Sequence, residues 1–574
     1  MKMKRRDFIK RLSWASVPFT LGGIPLKLMA ENPLTRMAQQ SHNDRVLVIL
    51  QMHGGNDGLN CLIPVEAYDQ YYSRRANIAI PAKNSLRKMI PLDSTLASDA
   101  QVGLHPDMMG MKRLYDQGRM GFVQGVSYKN NNGSHFRGRD ISFMGGSFDD
   151  YFSSGWVGRY LQQEFAPKVY PDEFPNEEMK DPLAIEMGSD VSLIFHQEGN
   201  IPTSISLSNP VSFFNLVNEL EGFVDEGIDP RGKPPANLGN SPYGKELNWI
   251  LGLEEKSEDY AERLFDVFNN SPEATVTYPE RYPFNAPSGS ATNRLSPQLQ
   301  LIARLLDGGG AGLGVKTKVF LVKVGGFDTH AEQVESYDPT MGAHAALMYH
   351  ISSAMNAFQQ DLRARGIEDR VLTVTTSEFG RRIHSNGSYG TDHGTGGPMF
   401  LFGKGVTPGV MGKVPDLSQN NVEMQFDYRQ VYANLLKDWM LVDEGIIHND
   451  IFFRDFINGP KEEGTGNYEP LAIASQVISA THADFVNSRF ALSGCYPNPA
   501  IDHTTIEFRI NATSQVSLQL LDSQGKMVKD ILDVALDAGE HSVKVDLQAY
   551  PPGLYLYKLK SGFLKDIKKL VISR

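Results

Sequence analysis

The sequence predicts an α/β domain with a doubly wound sheet and helices on both faces, followed by a small antiparallel β-sandwich. Near-continuous apolar runs at residues 45–52 and 371–376 are typical of parallel strands that are buried on both faces. Stretches with helical periodicity alternate with such runs up to about residue 400, as they do in βαβ units. Beyond residue 490 apolar and polar residues alternate, which indicates half-buried antiparallel strands.

The elements of the first domain follow from these patterns in chain order. Apolar runs predict strands at residues 45–52, 119–126, 183–187, 204–207, 318–324, 371–376 and 399–402. Periodicity predicts helices at residues 106–117, from near Phe136, and at 299–306, 341–365 and 427–440. Residues 308–314 (GGGAGLG) precede a strand and lack GxGxxG spacing, so we interpret them as a turn. Proline and glycine clusters at 230–242 and 278–290 indicate loops or an inserted subdomain.

Composition excludes several classes of protein. The chain has 574 residues and a formal net charge of -11, so charge alone gives no reason to expect nucleic-acid binding. Its two cysteines, Cys61 and Cys495, lie far apart and outside CxxC spacing. We therefore expect neither a disulfide framework nor a thiolate metal site.

The N-terminus predicts a twin-arginine export signal over residues 1–30, with cleavage near Ala30. Arg5 and Arg6 precede a short, moderately apolar stretch at residues 12–30. A membrane anchor is the alternative. It is disfavoured because prolines, glycines and a lysine interrupt a stretch that falls short of about 20 apolar residues.

Acids and histidines lie at the ends of the predicted strands. Asp57 follows the first strand, Asp328 and His330 follow the strand at 318–324, Glu378 follows the strand at 371–376, and His393 precedes the last strand. In open α/β sheets ligands bind outside the carboxyl ends of the strands. Carboxylates and imidazoles from separate elements can enclose a divalent cation and leave one position open.

Ser134 is the candidate nucleophile. It stands at the predicted start of a helix, where the helix dipole and free amides favour an anion. His135 is a weaker candidate because a neighbour on a helix is expected to face elsewhere. Asn56 at the first strand end and one of the arginines at 381 and 382 are candidates for substrate binding, since a guanidinium binds an anionic group bidentately.

Each of these residues also has a structural interpretation. Asp57 and Asp392 are equally consistent with turn formers that bond their own backbone. Ser134 fits a plain helix cap, and His330 fits a cap or a surface histidine. The arginines fit solvated charges, and we expect His105, His344 and His350, in helical surroundings, to be structural.

Five motifs in order, GGNDGLN, SHFRGRD, GGFDTH, SEFGRR and GTDHGTG, resemble the exported bacterial family called domain of unknown function 1501, over about residues 40–460. That family is similar to the alkaline phosphatase and sulfatase superfamily, whose members hold one or two metals at the strand ends. By motif, the resemblance implies that Asp57 and Glu378 serve one metal beside Ser134. It implies that Asp328, His330 and His393 serve the other.

The chain also departs from the superfamily pattern. Ser377-Glu378 stands where the superfamily usually has Asp-His or Asp-Asn, and Asp328 and His330 are two residues apart instead of four. No Cys/Ser-x-Pro-x-Arg context is present in the sequence, so formylglycine chemistry is not expected.

The tail resembles a type A sorting domain over residues 490–574, preceded by a linker at 461–489. The similarity rests on CYPNP at 495–499, DSQG at 522–525, GLYLY at 553–557 and a basic end. In Bacteroidota-type bacteria this domain directs periplasmic proteins through the type IX secretion system. A carbohydrate-binding or adhesive sandwich is the alternative, although the sequence offers no exposed aromatic platform for sugars.

Together these observations predict an exported metal-dependent hydrolase of phosphate or sulfate esters, acting on a small-molecule or glycan ester at the cell surface or after secretion. The ligand set admits zinc, manganese, magnesium or calcium. The expected partners are the twin-arginine translocase and the type IX machinery, with no nucleic acid and no stable membrane span. The alternative is a non-catalytic cell-surface binding protein that retains the alkaline-phosphatase-like fold.

Overall fold

The computed structural model describes residues 44–189, 191–218, 257–287, 289–310, 312–462, 466–474 and, with short gaps, 491–573. It divides into two units, Met1–Gln476 and Val477–Arg574. The predicted export signal lies outside the described residues, apart from an antiparallel pairing of Thr20–Leu21 with Ile24–Pro25. Residues 230–242 and 475–489, predicted to form loops and linker, also lie outside them.

A large mixed sheet organises the first unit. Its strands are β1 (Val46–His53), β2 (Met120–Ser127), β3 (Ala184–Met187), β4 (Ser204–Leu207), β5 (Val319–Gly325), β6 (Val371–Thr376), β7 (Gly397–Phe402), β8 (Gly409–Met411) and β9 (Phe426–Asp427). They are ordered β4-β3-β5-β1-β6-β7-β2-β8, and β9 also pairs with β2.

Strand direction explains why the sheet is mixed. Strands β4, β3, β5, β1 and β6 pair in parallel. Strand β7 is antiparallel to both β6 and β2, whereas β8 and β9 run parallel to β2. Residues 377–396, all of which are described, form a hairpin and turns without a helix. Because a parallel return needs a crossover of a dozen or more residues, usually a helix, this connection delivers β7 in the opposite direction.

Helices supply the layers that cover the sheet. They are α1 (Gly58–Cys61), α2 (Tyr68–Arg74), α3 (Met109–Asp116), α4 (His135–Met144), α5 (Trp156–Glu164), α6 (Pro210–Asn218), α7 (Leu295–Asp307), α8 (Ala343–Ala364), α9 (Tyr428–Asp438) and α10 (Glu444–Ile446). Residues 257–270 are also helical.

Successive side chains of a strand point to opposite faces, and β1 shows how both faces are used. Leu47 and Ile49 join a buried cluster that includes residues of α4, α5 and α9. Val48 and Leu50 join a second cluster that includes residues of α3, α7 and α8. The core therefore consists of two layers of apolar side chains with the sheet between them.

Short strands lie outside the large sheet. Leu62–Pro64, Ile90–Pro91 and Val102–Leu104 form a three-stranded sheet, and His196–Gln197 pairs with Ile201–Pro202. Arg381–Ser385 pairs with Thr391–His393, and we call this pair the site hairpin. None of the described helices is both long and apolar enough to cross a membrane.

The start of helix α7 differs from the sequence prediction because a side chain caps the helix earlier in the chain. Helix α7 begins at Leu295, four residues before the predicted start. Asn293 explains this, because its Oδ1 accepts the amides of Leu295 and Ser296 at 3.1 and 3.2 Å. The turn predicted after this helix is confirmed, since Gly308 ends α7 with φ +59°, a conformation that glycine adopts without strain.

The second unit consists of antiparallel strands. They are β10 (Ala491–Tyr496), β11 (His503–Ile510), β12 (Ser514–Asp522), β13 (Met527–Leu536), β14 (Gly539–Asp546), β15 (Gly553–Ser561) and β16 (Leu564–Ile572). They form sheets of order β10-β11-β14 and β13-β12-β15-β16. One apolar cluster contains Ile506 and Phe508 of the first sheet with Leu518 and Tyr557 of the second. The predicted turn at 523–525 lies outside the described residues.

A matched pair of substitutions tests the core of the first unit. Leu47 in β1 is buried, whereas Leu86 is fully exposed. We expect Leu47→Ala to lower the free energy of unfolding by about 2–5 kcal/mol, because it leaves a cavity. Leu86→Ala should change it by less than about 0.5 kcal/mol. All four tryptophans precede residue 476, so tryptophan fluorescence during urea unfolding follows this unit alone. Equal effects of the two substitutions would contradict the burial pattern.

Candidate functional site

Three of the predicted metal ligands meet beside the carboxyl end of β5. Asp328 Oδ1 lies 3.2 Å from Nε2 of His330 and 3.2 Å from Nε2 of His393. The two Nε2 atoms lie 2.8 Å apart. Asp328 and His330 follow β5, and His393 ends the site hairpin. These three residues and His135, described below, form what we call the imidazole cluster, which has one carboxylate, Asp328, and three imidazoles.

The outward nitrogens of two imidazoles are held by acceptors. His393 Nδ1 lies 2.7 Å from the carbonyl oxygen of Gly133, and because a carbonyl only accepts, Nδ1 carries a proton. His330 Nδ1 lies 3.6 Å from Asp392 Oδ1, and that carboxylate favours a proton there. Both Nε2 atoms then face each other and a carboxylate oxygen. Two imidazole nitrogens and a carboxylate oxygen at these distances can hold a metal ion.

His135 also belongs to this cluster. Its Nε2 lies 3.5 Å from Asp328 Oδ2, and its ring centroid lies 4.5 Å from that of His393. One ligand atom each from His135, Asp328 and His393 lie within 4.8 Å of one another. Its Nδ1 is buried and has no hydrogen-bond partner. Partial burial lowers the pKa of His135, which favours the neutral imidazole that binds metals.

His135 is closer to the predicted ligands than its sequence position suggests, and its place at the start of the helix explains the difference. His135 is the first residue of α4, preceded by Ser134 in extended conformation and Gly133 at φ +65°. A Cβ on Gly133 would lie 3.1 Å from His393 Cβ, so the glycine lets this turn approach the site hairpin closely. The rule that neighbouring residues face different directions applies inside a helix, and His135 is only its first residue. The predicted cap at Ser134 was therefore the signal that could have revealed His135.

Arg381 was predicted to bind substrate. The structure instead places it on the buried side of the imidazole cluster, where it supports the cluster and is not free to bind a substrate. Its Nη2 donates to Asp328 Oδ1 at 2.7 Å and also contacts the carbonyls of Gly54 and Phe327. Its Nε donates to the Gly55 carbonyl and its Nη1 to the Thr391 carbonyl. The side chain is fully buried. Partial burial would raise the pKa of Asp328, but the hydrogen bond and the positive charge of Arg381 outweigh it and hold the pKa at about 2.

Asp57, predicted to bind the first metal, is instead paired inside the protein. Arg75 Nη1 lies 2.9 and 2.8 Å from its two carboxylate oxygens, and Gln333 donates to Oδ2 at 2.6 Å. Both side chains of the ion pair are buried. Burial would raise the pKa of Asp57, but the Arg75 guanidinium and hydrogen bonds outweigh it and lower the pKa. Its oxygens do not take part in the imidazole cluster.

Glu378, the other predicted ligand of the first metal, holds the loop after β1. Its carboxylate accepts the amides of Gly54 and Gly55 at 2.9–3.1 Å, and Oε1 lies 3.5 Å from His53 Nε2. Gly54 has φ +122°, and a Cβ there would lie 2.3 Å from the amide nitrogen of Asp328. Only glycine allows this approach. Glu378 therefore positions the backbone against Asp328 and is outside the cluster.

The remaining predicted residues have mixed positions. Asn56 is buried, with Oδ1 3.1 Å from His344 Nε2, so it does not face the cluster. The Ser134 hydroxyl accepts the amide of Arg137 at 3.4 Å, which confirms the predicted cap. Ser134 is nevertheless half-buried and directly precedes His135, and its role as nucleophile stays a prediction.

A cavity of about 450 Å³ lies at the carboxyl ends of β1 and β5. His53 lines it, and the His53 ring centroid lies 6.4 Å from that of His135. Arg139 and Lys323 also line it. Asp140 lines the cavity too and lies 3.6 Å from Arg139, and Lys323 is paired with Glu186, so carboxylates balance both positive charges.

The Asp57–Arg75 pair generates a stability prediction. Arg75→Met should lower the free energy of unfolding by about 3–5 kcal/mol, because it leaves a buried carboxylate unpaired. Lys112→Met breaks the exposed pair of Lys112 with Asp116 and should cost less than about 1 kcal/mol. Urea unfolding near neutral pH compares them, and a small effect of Arg75→Met would show that the pair is not buried as described.

The same pair predicts a pH dependence. The folded-state pKa of Asp57 is lowered, below the unfolded value of about 3.9. The unfolded chain then binds the proton more readily, so this stabilisation is present above about pH 4 and is lost as pH falls towards the folded pKa. Unfolding free energy measured from about pH 6 to 3 should fall less steeply in Asp57→Asn than in the wild type. Parallel curves would refute the assignment.

Solved structures with weak similarity span different parts of the chain. The PsFucS1 sulfatase from Pseudoalteromonas sp. is 12% identical over 91% of this chain and 87% of its own, with a TM-score of 0.30. The alkaline phosphatase from the Antarctic bacterium TAB5 is 10% identical over 64% and 94%, with a TM-score of 0.24. Dimeric latent PorU from Porphyromonas gingivalis is 21% identical over 14% of this chain, with a TM-score of 0.13. The chain spans only 9% of the length of PorU. None of these TM-scores alone defines the fold.

Family profiles match two segments of the chain, and no curated protein matches it. The family described as "Protein of unknown function (DUF1501)" matches residues 285–451, which include Asp328, His330, Arg381 and His393. This is a shorter segment than the 40–460 of the predicted resemblance. The "Secretion system C-terminal sorting domain" matches residues 494–573, which indicates export and a cell-surface or secreted location. The chain thus combines a segment that matches the DUF1501 family model with a C-terminal segment that matches the secretion sorting domain.

Proposed function

We propose that the protein is an exported, metal-dependent hydrolase of phosphate or sulfate esters, with the imidazole cluster as its metal site. The observation that carries this proposal is the convergence of Asp328 Oδ1 with Nε2 of His330 and His393 within 3.2 Å. The opposite nitrogens face the Gly133 carbonyl and Asp392. Metal-binding histidines usually donate their second ring nitrogen to such an acceptor.

The donor set favours some of the predicted cations over others. Three imidazoles and one carboxylate suit zinc or manganese, whereas magnesium and calcium prefer oxygen ligands. The buried, unpartnered Nδ1 of His135 is consistent with this fit, since rotation of the ring would give that atom a ligand role. A divalent cation held here would polarise the ester and stabilise charge that develops in the transition state.

The chain's own residues prepare the site. Arg381 holds the Asp328 carboxylate through a 2.7 Å hydrogen bond, and its low pKa keeps that group ionised at neutral pH. Gly133 and Asp392 orient two imidazoles. Ser134, at the start of the ten-residue helix α4, would supply the attacking hydroxyl, and the first amides of α4 would bind the anionic ester group.

The rest of the chain fits an exported enzyme. The sorting domain supports delivery by the type IX machinery, and we propose that the twin-arginine translocase carries the chain across the inner membrane first. The helices on both faces of the large sheet are consistent with a doubly wound arrangement, in which sites form at the carboxyl ends of the strands. Asp328 lies at that edge.

Metal analysis and an ester screen test the proposal. Purified wild-type protein should contain about one zinc or manganese ion per chain by mass spectrometry and should hydrolyse an aryl phosphate or an aryl sulfate. Asp328→Ala and His393→Ala should lose the metal and the activity. His135→Ala should weaken metal affinity by about 10- to 100-fold, by analogy with losses at supporting positions.

Asp57→Asn is the matched control. Asp57 is an acid at the same sheet edge, but it does not belong to the imidazole cluster. It should keep the metal and lose stability only. Metal retained without turnover of any ester would favour a non-catalytic binding protein. Metal lost from Asp57→Asn but kept by His393→Ala would place the site elsewhere and refute the assignment.

A further inference from the structure

A second and larger cavity lies at the same edge of the large sheet. Its volume is about 740 Å³, within the range of about 300–1,000 Å³ that is usual for organic ligand sites. Its walls come from the carboxyl ends of β3, β4 and β5 and from α7 and α8. The members of the imidazole cluster do not line it, and neither the family match nor the proposed metal chemistry uses it.

The cavity exists because the sheet opens between β3 and β5. Strand β5 pairs with β3 only over Val319–Leu321, opposite Ala184–Glu186. Beyond that point Gln298 of α7 takes over: its Oε1 accepts the amide of Lys323 at 3.1 Å and its Nε2 donates to the Lys323 carbonyl at 3.0 Å. The opening is therefore a hydrogen-bonded part of the fold. Ligands of open α/β sheets bind in crevices of this kind.

The lining has an apolar floor and a polar rim. Met187, Leu207, Leu301 and Leu347 contribute to the floor, and Ser208, Thr292 and Arg294 stand on the rim. Such a surface matches a ligand with one apolar face and several hydroxyl groups. A small inorganic anion would leave most of the volume unfilled, and an acyl chain would leave the rim without partners.

One wall residue shows an unmet hydrogen bond. His350 is 3% exposed and lines the cavity. Its Nε2 donates to the Ser290 carbonyl at 2.8 Å, which leaves Nδ1 as an acceptor, and Nδ1 is buried without a partner. Buried polar groups are seldom left unpaired in native proteins. Because Nδ1 is buried, a bound molecule would reach it only after a shift of the His350 ring.

The large cavity and the 450 Å³ cavity share two lining residues at the end of β5. Lys323 and Gly325 line both the large cavity and the 450 Å³ cavity. The smaller cavity reaches His53, whose ring lies 6.4 Å from that of His135. An added Cβ on Gly325 would meet nothing within 4 Å, so the space beside this shared residue is open.

We infer that the large cavity binds the alcohol part of an extended ester substrate, and that this part is a hydroxyl-bearing ring such as a sugar ring. The inference rests on the proposed function in that the anionic ester group would lie at the imidazole cluster. The ring would lie beyond Gly325, with its apolar face on the floor and its hydroxyl groups at the rim.

Ser208→Trp tests this inference. Ser208 is exposed, and of the cavities described it lines only the large one. For phosphate or sulfate esters of saccharides we expect kcat/KM to fall by about 10- to 100-fold, mainly through KM. For an aryl phosphate or aryl sulfate it should stay unchanged. Ser418→Trp is the control, since Ser418 is an exposed serine that also bonds a neighbour, Asp416, and lines none of these cavities.

Calorimetric titration with unesterified mono- and disaccharides gives a readout independent of turnover. The full-length wild type should bind at least one of them, and Ser208→Trp should not. If the wild type hydrolyses no ester but binds sugars in a Ser208-dependent way, the hydrolase proposal fails and the cavity assignment stands. If alkyl or aryl esters are preferred over saccharide esters and no sugar binds, the inference is overturned.

Discussion

One buried guanidinium joins the segments that build the candidate site. Arg381 donates to the carbonyls of the turn after β1, to the carbonyl before Asp328, to the site hairpin and to the Asp328 carboxylate. A buried charge is tolerated only when its donors are satisfied, and the planar fork of arginine can serve several acceptors at once. The imidazole cluster has its geometry because these loops share one cation at their base.

Acids at the same sheet edge divide into two groups with different tasks. Asp57 and Glu378 point into the protein. Arg75 neutralises Asp57, and the glycine amides of the loop after β1 donate to Glu378. Asp328 is half-exposed beside histidines. The inward acids fix the backbone, and this leaves Asp328 as the carboxylate that is free to contact a cation. Residue type alone cannot separate these groups, because the distinction depends on which partner lies within reach.

Much of the fold could be predicted because burial on both faces leaves a clear signal. Strands β4 and β6 have the predicted boundaries, and Ser134 caps its helix as predicted. The direction of β7 could not be predicted, since an apolar run does not encode direction. The pairing of Asp57 with Arg75 could not be predicted. Arg75 directly follows α2, and that helix has only one buried residue, so its hydrophobic pattern was too weak to place Arg75. His135 was underestimated because helix periodicity does not apply to the first residue after a cap.

The metal site is the central claim, and anomalous diffraction from crystals of the full-length protein tests it most directly. Data collected above and below the zinc and manganese absorption edges should show one peak about 2.0–2.2 Å from Nε2 of His330, Nε2 of His393 and a carboxylate oxygen of Asp328. A crystal grown with both metals that shows no peak there, or shows one beside Asp57, would contradict the account.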